Sequence, residues 1–474
     1  MTYFFETYGC EMNIAESAAV EQLLISRGWT KANSAQVADL AIINTCSVRE
    51  TAENRIAGRL GWYNGLKAVR EKKIGAKTKL LEEAVDFVKD GAKPLTLVVM
   101  GCMAQRLLQE FQKKYPFVDY VVGTYAKHHF GEIAEAVEEG QKPFKIDNSD
   151  VYKFAGVSAE PGAFSAFVPI MHGCNNFCSY CIVPYVRGRE VSRAAEEILF
   201  ELDVLNKMGV LEICLIGQNV NSYHGKVCTD AFANEIAAVV KNPDDIVFSE
   251  LLQLIVNHLR ITNSSIKWVR FMSSHPKDFG DDVIDVIARE KMLCRHIHLP
   301  VQNGSDAILQ RMNRKYTREN YLNLVKKIKA KIPDVSLTTD IMVGFPGETE
   351  NDVQDTLDLM EKVCYESAMM YYYNPREGTP AAKMVQLPVQ VRKERLQRVI
   401  DLQLVHTQKQ MSLRIGKIVT ALAESISRDN KTELLGQTEQ HEKIAFKADK
   451  SCIGHFVNVK ITELSGNTFR GEKI

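Results

Sequence analysis

Cys174-Asn-Asn-Phe-Cys178-Ser-Tyr-Cys181 is the stretch on which the reading of this chain turns. Three residues separate the first two thiols and two separate the next pair. On one loop, three thiolates so spaced can each reach a different iron of a single iron–sulfur cube. A bacterial ferredoxin run uses other spacings and adds a fourth cysteine. Here the next cysteine is Cys214, on a candidate strand. A cube with three protein thiolates leaves one iron open to bind a small molecule and pass it an electron. Zinc is the rival reading, with His172 as fourth ligand, although structural zinc sites usually take their four ligands in paired cysteine units. Three inert buried thiols are the remaining reading.

Around the triad, apolar runs alternate with helical patterns. The candidate strands are Phe167–His172, Glu212–Ile216, Trp268–Met272, His296–Pro300, Ser336–Val343 and Ala368–Tyr373. Six such units in succession predict a partial or complete parallel (βα) barrel, whose chemistry gathers at the carboxyl ends of its strands. Those ends carry His172-Gly-Cys174, Gln218-Asn219, Ser273-Ser-His275, Gln302-Asn303 and Gly344-Phe-Pro-Gly-Glu348.

Upstream, the runs Tyr3–Thr7, Ala38–Asn44, Leu95–Met100 and Val118–Val122 alternate with helical patterns such as Ala15–Arg27 and Lys79–Lys89. They predict a parallel sheet with helices on its faces. Cys10, Cys46 and Cys102 are far apart in sequence, yet each directly follows one of these runs and enters a helical pattern. Carboxyl ends of neighbouring parallel strands share one edge of a sheet, where ligands bind. Three thiols can converge there, with Gly9, Thr45 and Gly101 letting a cluster approach the backbone; three independent buried thiols are the alternative. Gly61–Pro94 reads as a long connection with eight Lys/Arg against five acids, either a solvated helix or an RNA-backbone contact.

Asn148–Ser165 reads as a linker, and Lys393–Arg414 as a polar connecting helix. The short runs Lys417–Glu424, Lys443–Phe446, His455–Thr462 and Thr468–Gly471, punctuated by Gly436, Gly454 and Gly466, predict a small β-barrel. The expected boundaries are 1–147, a linker at 148–165, 166–410 and 411–474, an α/β organisation overall. The 474 residues balance 59 Lys/Arg with 59 Asp/Glu, which excludes a globally basic nucleic-acid coat but not local patches. Eleven cysteines are too few for a disulfide scaffold of this length. The first basic residue is Arg27, so no signal-peptide n-region is read, and no run approaches the roughly 18 apolar residues of a membrane helix. A cytoplasmic protein with reduced thiols and no membrane association is expected.

The triad resembles the signature of radical S-adenosylmethionine enzymes. The whole chain resembles the methylthiotransferases of that superfamily: an N-terminal three-cysteine domain, a radical domain and a small β-barrel called TRAM. Asn44-Thr-Cys-Ser-Val-Arg-Glu50, Gly101-Cys-Met-Ala-Gln-Arg106, Val121-Val-Gly-Thr124, Gly173 through Arg189, Leu299-Pro-Val-Gln302, Met312-Asn-Arg314 and Gly378-Thr-Pro-Ala381 resemble its tRNA branch, the 2-methylthio-N6-dimethylallyladenosine synthases. Asn303 stands where Ser is expected, Gln437 where TRAM domains often carry Arg, and Gly61–Pro94 is longer than usual.

The resemblance implies two [4Fe-4S] clusters. Cys174, Cys178 and Cys181 would hold the radical-forming one, and Cys10, Cys46 and Cys102 the auxiliary, sulfur-carrying one. S-adenosylmethionine would be both radical source and methyl donor. Tyr180 would pack near the adenine and Gly344 would contact it, with Ile341 and Val343 as apolar cover. Gln218, Asn219, Gln302 and Asp340 are the other candidate cofactor contacts; Asp340 has a second reading, orienting Arg295. The implied reaction puts a methylthio group on C2 of isopentenyladenosine beside the anticodon. The implied partners are a tRNA anticodon stem–loop and an electron donor such as flavodoxin or ferredoxin, with an unidentified sulfur donor and a monomeric enzyme. Alternatives are a threonylcarbamoyl-adenosine or ribosomal-protein aspartate substrate, or a non-enzymatic iron–sulfur RNA-binding sensor.

Overall fold

The computed structural model describes residues 1–47, 50–73, 82, 84–85, 94–148, 152–154, 156–428 and 430–474. They pack into two units. Residues 1–175, 182–193 and 203–208 form the first, and 176–181, 194–202 and 209–474 the second.

In the first unit β1 (Thr2–Thr7), β2 (Thr30–Lys31), β3 (Leu40–Thr45), β4 (Thr96–Gly101) and β5 (Tyr120–Val122) form a parallel sheet in the order β2-β1-β3-β4-β5. The central strand β3 is buried at every position, as a strand covered on both faces must be. Its period-two alternation splits the core. Ala41 and Ile43 join Leu97, Val99 and Val121 against Ile56, Leu60, Tyr63 and Leu66 of the helix Glu50–Arg70. Leu40 and Ile42 join Val98, Met100 and Val122 against Val20, Leu24, Phe130 and Ile133 of the helices Glu11–Ser26 and Phe130–Glu139. β6 (Ser165–Pro169) follows, and β7 (Met171–His172) pairs antiparallel with β8 (Val191–Ser192).

Two expectations need correction here. Lys67 and Arg70, counted among the cations of Gly61–Pro94, are buried. Lys67 Nζ donates to Phe117 O (2.9 Å) and pairs with Asp119 (2.5 Å), and Arg70 Nη1 donates to the Ala38 carbonyl. They satisfy the sheet's own polar groups and are lost to any RNA patch. The helix expected at Lys79–Lys89 lies largely outside the described residues. The segment read as a linker is also pinned down. Tyr152 stacks on His172 (centroids 3.6 Å apart), and Ala159 O accepts from Gln22 Nε2 at 2.5 Å.

In the second unit β9 (Glu212–Ile216) is followed by a short antiparallel pair, β10 (His224–Gly225) and β11 (Ile246–Val247). β12 (Trp268–Phe271) pairs parallel with β9, and a parallel bridge, Val269 to Leu293, continues toward β13 (His296–His298). β13, β14 (Ser336–Val343) and β15 (Ser367–Tyr372) are parallel neighbours. Helices Phe248–Ile261, Asp281–Arg289, Arg318–Lys331 and Glu350–Val363 make the crossovers. Each strand begins and ends where the apolar runs do, within a few residues, so the predicted parallel α/β architecture is the observed one.

After the helix Val389–Ser412, β16 (Ile418–Ile426), β17 (Glu433–Thr438), β18 (Lys443–Lys447), β19 (Phe456–Ser465) and β20 (Thr468–Lys473) close a barrel in the order β16-β17-β18-β20-β19. Ala421, Leu434, Ile444, Phe446, Val457, Val459, Ile461 and Phe469 fill it. β17 lies outside the expected runs, because in sequence Gly436 reads as punctuation. It lies inside the strand, where a Cβ would meet Leu422 O at 2.7 Å, the close backbone approach for which strands use glycine. The barrel is anchored by Arg270 of β12, whose guanidinium donates to Thr438 O (2.8 Å) and Glu439 O (2.6 Å) and pairs with Glu212 (3.0 Å).

Candidate iron–sulfur centres and barrel mouth

The sheet of the first unit gathers the scattered cysteines. Cys10 caps the helix that follows β1, Cys46 directly follows β3, and Cys102 opens the short helix after β4. These strands are consecutive neighbours, so all three thiols sit on one sheet edge. A Cβ on Gly9 (φ +141°) would lie 2.9 Å from Cys46 Cβ, and one on Gly101 (φ +95°) 2.5 Å from Thr45 O. Only glycine fits either place, and both leave the backbone open toward the thiols. Beneath them Asn13 Nδ2 donates to Asn44 Oδ1 (2.8 Å) and Thr45 O (3.0 Å), Asn44 Nδ2 returns to Asn13 O (2.9 Å), and Thr45 Oγ1 donates to Met100 O (2.6 Å). These buried polar groups are mutually satisfied, which fixes the strand ends relative to one another.

A charged network lies behind the thiols. Arg187 Nη1 donates to Glu16 Oε1 (2.8 Å), and Lys127 Nζ donates to the same oxygen (2.7 Å) and to the Tyr152 hydroxyl (2.9 Å). All three charged side chains are at most 4% exposed. Burial raises the Glu16 carboxyl, but the two cations outweigh it and hold the pKa at about 2. His172 Nδ1 faces Arg187 Nη1 at 3.3 Å; burial first, then both cations, keeps its ring neutral. Nδ1 of the imidazole read as a fourth zinc ligand is therefore engaged in this network. Two cations against one carboxylate leave one net positive charge. It is felt at the thiols: burial pushes Cys102 up to about 12, and Arg187 is the main influence lowering it, against Cys46 and Cys10. Ile182 and Val186, in the turn before Arg187, pack on Cys102. Three thiols, two open glycines and an excess buried cation fit an anionic thiolate-bound cluster. No three His, Cys, Asp or Glu side chains among the described residues meet as ligands of a single metal ion. A cube instead takes each thiolate on a different iron.

Cys174 belongs to the first unit. Its N–H donates to Gly188 O (3.1 Å), and Asn175 is clamped by Glu190 (2.9 and 3.1 Å). Cys178 and Cys181 belong to the second, where Cys181 N donates to Cys178 O at 3.0 Å. Their loop is held by Met312-Asn-Arg314. Ser179 N donates to Met312 O (3.0 Å), Asn313 Nδ2 to Phe177 O (2.9 Å), and Arg314 Nη1 to Cys178 Sγ (3.5 Å). Arg314 also donates to Pro300 O (2.9 Å), so this buried cation is positioned by the barrel and aimed at a thiol. Phe177, Ser273, Gln302 and Asn313 all have positive φ without being glycine, a strain that concentrates at sites.

At the strand ends Tyr180 and Met342 pack on Ile308, Met312, Phe345, Tyr373 and Ala381. Ile341 and Val343, expected as apolar cover, are fully buried. Period-two alternation puts them on the face of β14 opposite Asp340 and Met342, so Met342 is the apolar side chain on the accessible face. Asp340 lies 3.6 Å from His298, whereas Arg295 donates to the carbonyls of Ile287 and Ala288, so the orienting role for Asp340 does not hold. Gly344 (φ +70°) donates to Glu348 Oε1 (2.7 Å), which also accepts from Arg395 (2.9 Å). Asn303 Nδ2 reaches Glu348 Oε2 (3.2 Å) and Met342 O (3.1 Å); this departure from the family pattern ties two strand ends together. Gln302 N donates to Asp340 O (2.9 Å). Gln218 is half-buried after β9.

A set of polar atoms stands out at this edge; Asn219 is an expected contact and Ser274 and His275 lie in an expected strand-end motif, while Asn221 was missed. Asn219 Oδ1, both side-chain polar atoms of Asn221, Ser274 Oγ and His275 Nε2 are buried without a hydrogen-bond partner among the described residues. Burial holds the His275 ring neutral, with a pKa of about 2. Orphaned buried polar atoms are costly unless a ligand takes them up, so the edge fits a polar cofactor. Asn13, Glu16, Lys127 and Arg314 were also missed. They are single polar residues in helices or loops, with no spacing pattern to mark them.

Residues 168–360 match the model of the radical SAM superfamily, residues 2–123 that of an uncharacterized protein family, UPF0004, and residues 413–474 that of the TRAM domain. The chain is 49% identical over 488 residues to the tRNA-2-methylthio-N(6)-dimethylallyladenosine synthase of Treponema pallidum (strain Nichols), covering 100% of this chain and 99% of that one. It is 40% identical over 477 residues to the protein of that name from Clostridium botulinum (strain Langeland), covering 100% and 97%. Among solved structures it is similar to the radical S-adenosylmethionine methyltransferase TsrM of Kitasatospora setae, with TM-score 0.54 and 14% identity over 80% of this chain and 77% of that one.

Proposed function

This chain belongs to the family of tRNA-2-methylthio-N(6)-dimethylallyladenosine synthases, and from that premise we propose that it places a methylthio group on C2 of isopentenyladenosine beside the anticodon of tRNA. The observation that carries the reading is the presence, in one chain, of two thiol sets with separate supporting structures. When bound, the two [4Fe-4S] clusters and S-adenosylmethionine supply the electron, the radical, the sulfur and the methyl group.

The protein's part is binding and positioning. Cys10, Cys46 and Cys102 hold the auxiliary cluster, and Arg187 supports its negative charge from behind. Cys174, Cys178 and Cys181 hold the radical-forming cluster, with Arg314 orienting the Cys178 sulfur. Tyr180 and Met342 cover the adenine of the cofactor, Gly344 presents backbone to it, and Gln218, Asn219, Gln302 and Asp340 supply polar contacts. Asn221, Ser274 and His275 join them, since each holds an unmet donor or acceptor. His275, kept neutral, can hydrogen-bond a ligand without adding charge beside Arg314.

Residues 1–147 serve as the auxiliary-cluster domain, 166–410 as the radical domain and 411–474 as an RNA-binding TRAM barrel. A one-electron donor of flavodoxin or ferredoxin type completes the system, and the enzyme works as a cytoplasmic monomer. No described helix is long and apolar enough to cross a membrane. The test is nucleoside analysis of isopentenylated tRNA incubated with reconstituted protein, reductant and S-adenosylmethionine. The 2-methylthio nucleoside is expected; methylthio product on a ribosomal protein instead, or no 5′-deoxyadenosine at all, would overturn the reading.

A further inference from the structure

Helix Glu50–Arg70 buries Ile56, Leu60, Tyr63 and Leu66 in the first core, and its neighbouring stripe is of a different kind. Arg55, Gly58, Arg59 and Trp62 recur at helical spacing, and with Tyr8 they line an open cleft of about 470 Å³. That volume lies within the ~300–1,000 Å³ of small-ligand sites. The cleft is preformed. Glu6 accepts from Arg59 Nε (2.8 Å), the Tyr8 hydroxyl (2.8 Å) and the Tyr63 hydroxyl (3.0 Å). So held, the Arg59 guanidinium lies 3.8 Å from the centroid of the Trp62 ring. One carboxylate and two guanidiniums leave the lining cationic, with Arg55 exposed at its rim.

Gly58 is the informative residue. Glycine inside a helix costs about 0.8–1 kcal/mol relative to alanine, and a Cβ here would meet nothing within 4 Å among the described residues. Packing gives no reason for it; keeping the floor of the cleft open does. The location is equally specific. Tyr8 lies two residues before Cys10, and its N–H donates to Asn44 O (2.9 Å), at the sheet edge that carries the thiols.

We propose that this cleft binds one nucleotide of the substrate RNA that flanks the modified adenosine, its base stacked on the Trp62–Arg59 face and its phosphate on Arg55. A guanidinium–indole platform with a second arginine suits an unstacked base on a phosphodiester chain. The inference rests on the tRNA reading above.

The experiment is binding of a fluorescent, isopentenylated anticodon stem–loop to the reconstituted full-length protein across a salt series. Arg55→Ala and Trp62→Ala should each raise Kd by about 10-fold, within the range for loss of one phosphate or one stacking contact. Arg55→Ala should lower the slope of log K against log salt by about one, while Trp62→Ala leaves it unchanged. Trp62→Phe should restore most of the affinity. Gly58→Leu should weaken binding to a similar degree with iron content and thermal midpoint at wild-type values. It carries the test if truncating Trp62 disturbs Arg59, because it only adds atoms to open space. Wild-type affinity and slope in Arg55→Ala and Gly58→Leu would overturn the proposal. A wild-type protein that neither binds nor methylthiolates this RNA would overturn the tRNA reading instead.

Discussion

The two sets of three cysteines are placed by opposite routes. Cys174, Cys178 and Cys181 are neighbours in sequence, and the loop that carries Cys178 and Cys181 is steadied by Met312, Asn313 and Arg314. Cys10, Cys46 and Cys102 are close only because β1, β3 and β4 are neighbours in a parallel sheet. The first set depends on a loop and one buried guanidinium. The second depends on a whole sheet, two glycines without room for a Cβ and a buried network of three charges. A site built by topology should therefore fail with its sheet, and a site built by spacing should fail with its loop.

The largest effect separates the sets outright. Cys178→Ala should abolish both 5′-deoxyadenosine release and methylthiolated tRNA. Cys46→Ala should abolish the methylthio product while reductive cleavage of S-adenosylmethionine persists, with about half of the iron retained. Product analysis and iron determination on the same preparations check this. Loss of cleavage in Cys46→Ala would show that the two sets do not act separately.

How much could be read in advance follows the same division. Spacing alone marks Cys174–Cys181, because a local motif writes its geometry into consecutive residues. The auxiliary set is legible only as a repeated position: apolar run, small residue, cysteine, helix. The strands around both were legible because buried parallel strands are continuous apolar runs. What stayed hidden is what topology alone determines. Lys67 and Arg70 look like surface charge but satisfy carbonyls and a carboxylate beneath the sheet. Ile341 and Val343 lie in the right strand on the wrong face, a parity that a run of mixed residues does not reveal. Gly436 reads as a turn until the partner strand shows why no side chain fits. Glu16 and Lys127 are 111 residues apart and meet in one ion pair.

That ion pair sets the second prediction, which concerns the auxiliary set alone. Removing one partner of a buried ionic network leaves uncompensated charge and costs about 3–5 kcal/mol. Glu16→Gln should lower the first thermal transition by several degrees and release the auxiliary iron, with the radical-forming cluster kept. The pH dependence has a definite sign. Glu16 is held at about 2 in the folded protein against 4.5 when unfolded. Its stabilisation is therefore complete above about pH 4.5 and is lost as pH falls toward 2. In metal-free protein the acid-induced drop in stability over that window should be shallower in Glu16→Gln than in wild type. An unchanged profile would mean that the carboxylate does not govern this unit.

The smallest effect tests whether the backbones of the two sites are equally built for their thiols. Gly101 precedes Cys102 with φ +95° and ψ −159°, a region essentially closed to residues with a side chain. Gly173 precedes Cys174 with φ +78°, and a Cβ there would meet Gly188 O at 2.7 Å and crowd the Arg189 carbonyl. Alanine at either position costs about 1–3 kcal/mol in backbone strain, before any overlap is relieved. The outcomes should differ in where the strain goes. Gly101 ends β4 directly against the end of β3, with Thr45 O at 2.5 Å from the added Cβ; relief requires moving β3 against β4, so stability and auxiliary iron should fall together. Gly173 faces the segment that returns from the cysteine loop, which can shift with smaller loss of core packing. Gly173→Ala should therefore change the spectrum or the cofactor-cleaving rate of the radical-forming cluster by several-fold with a thermal midpoint close to wild type. Equal loss of stability in both variants would mean that the local loop is as firmly tied into its unit as the sheet edge, and the contrast between spacing and topology would not extend to the backbone.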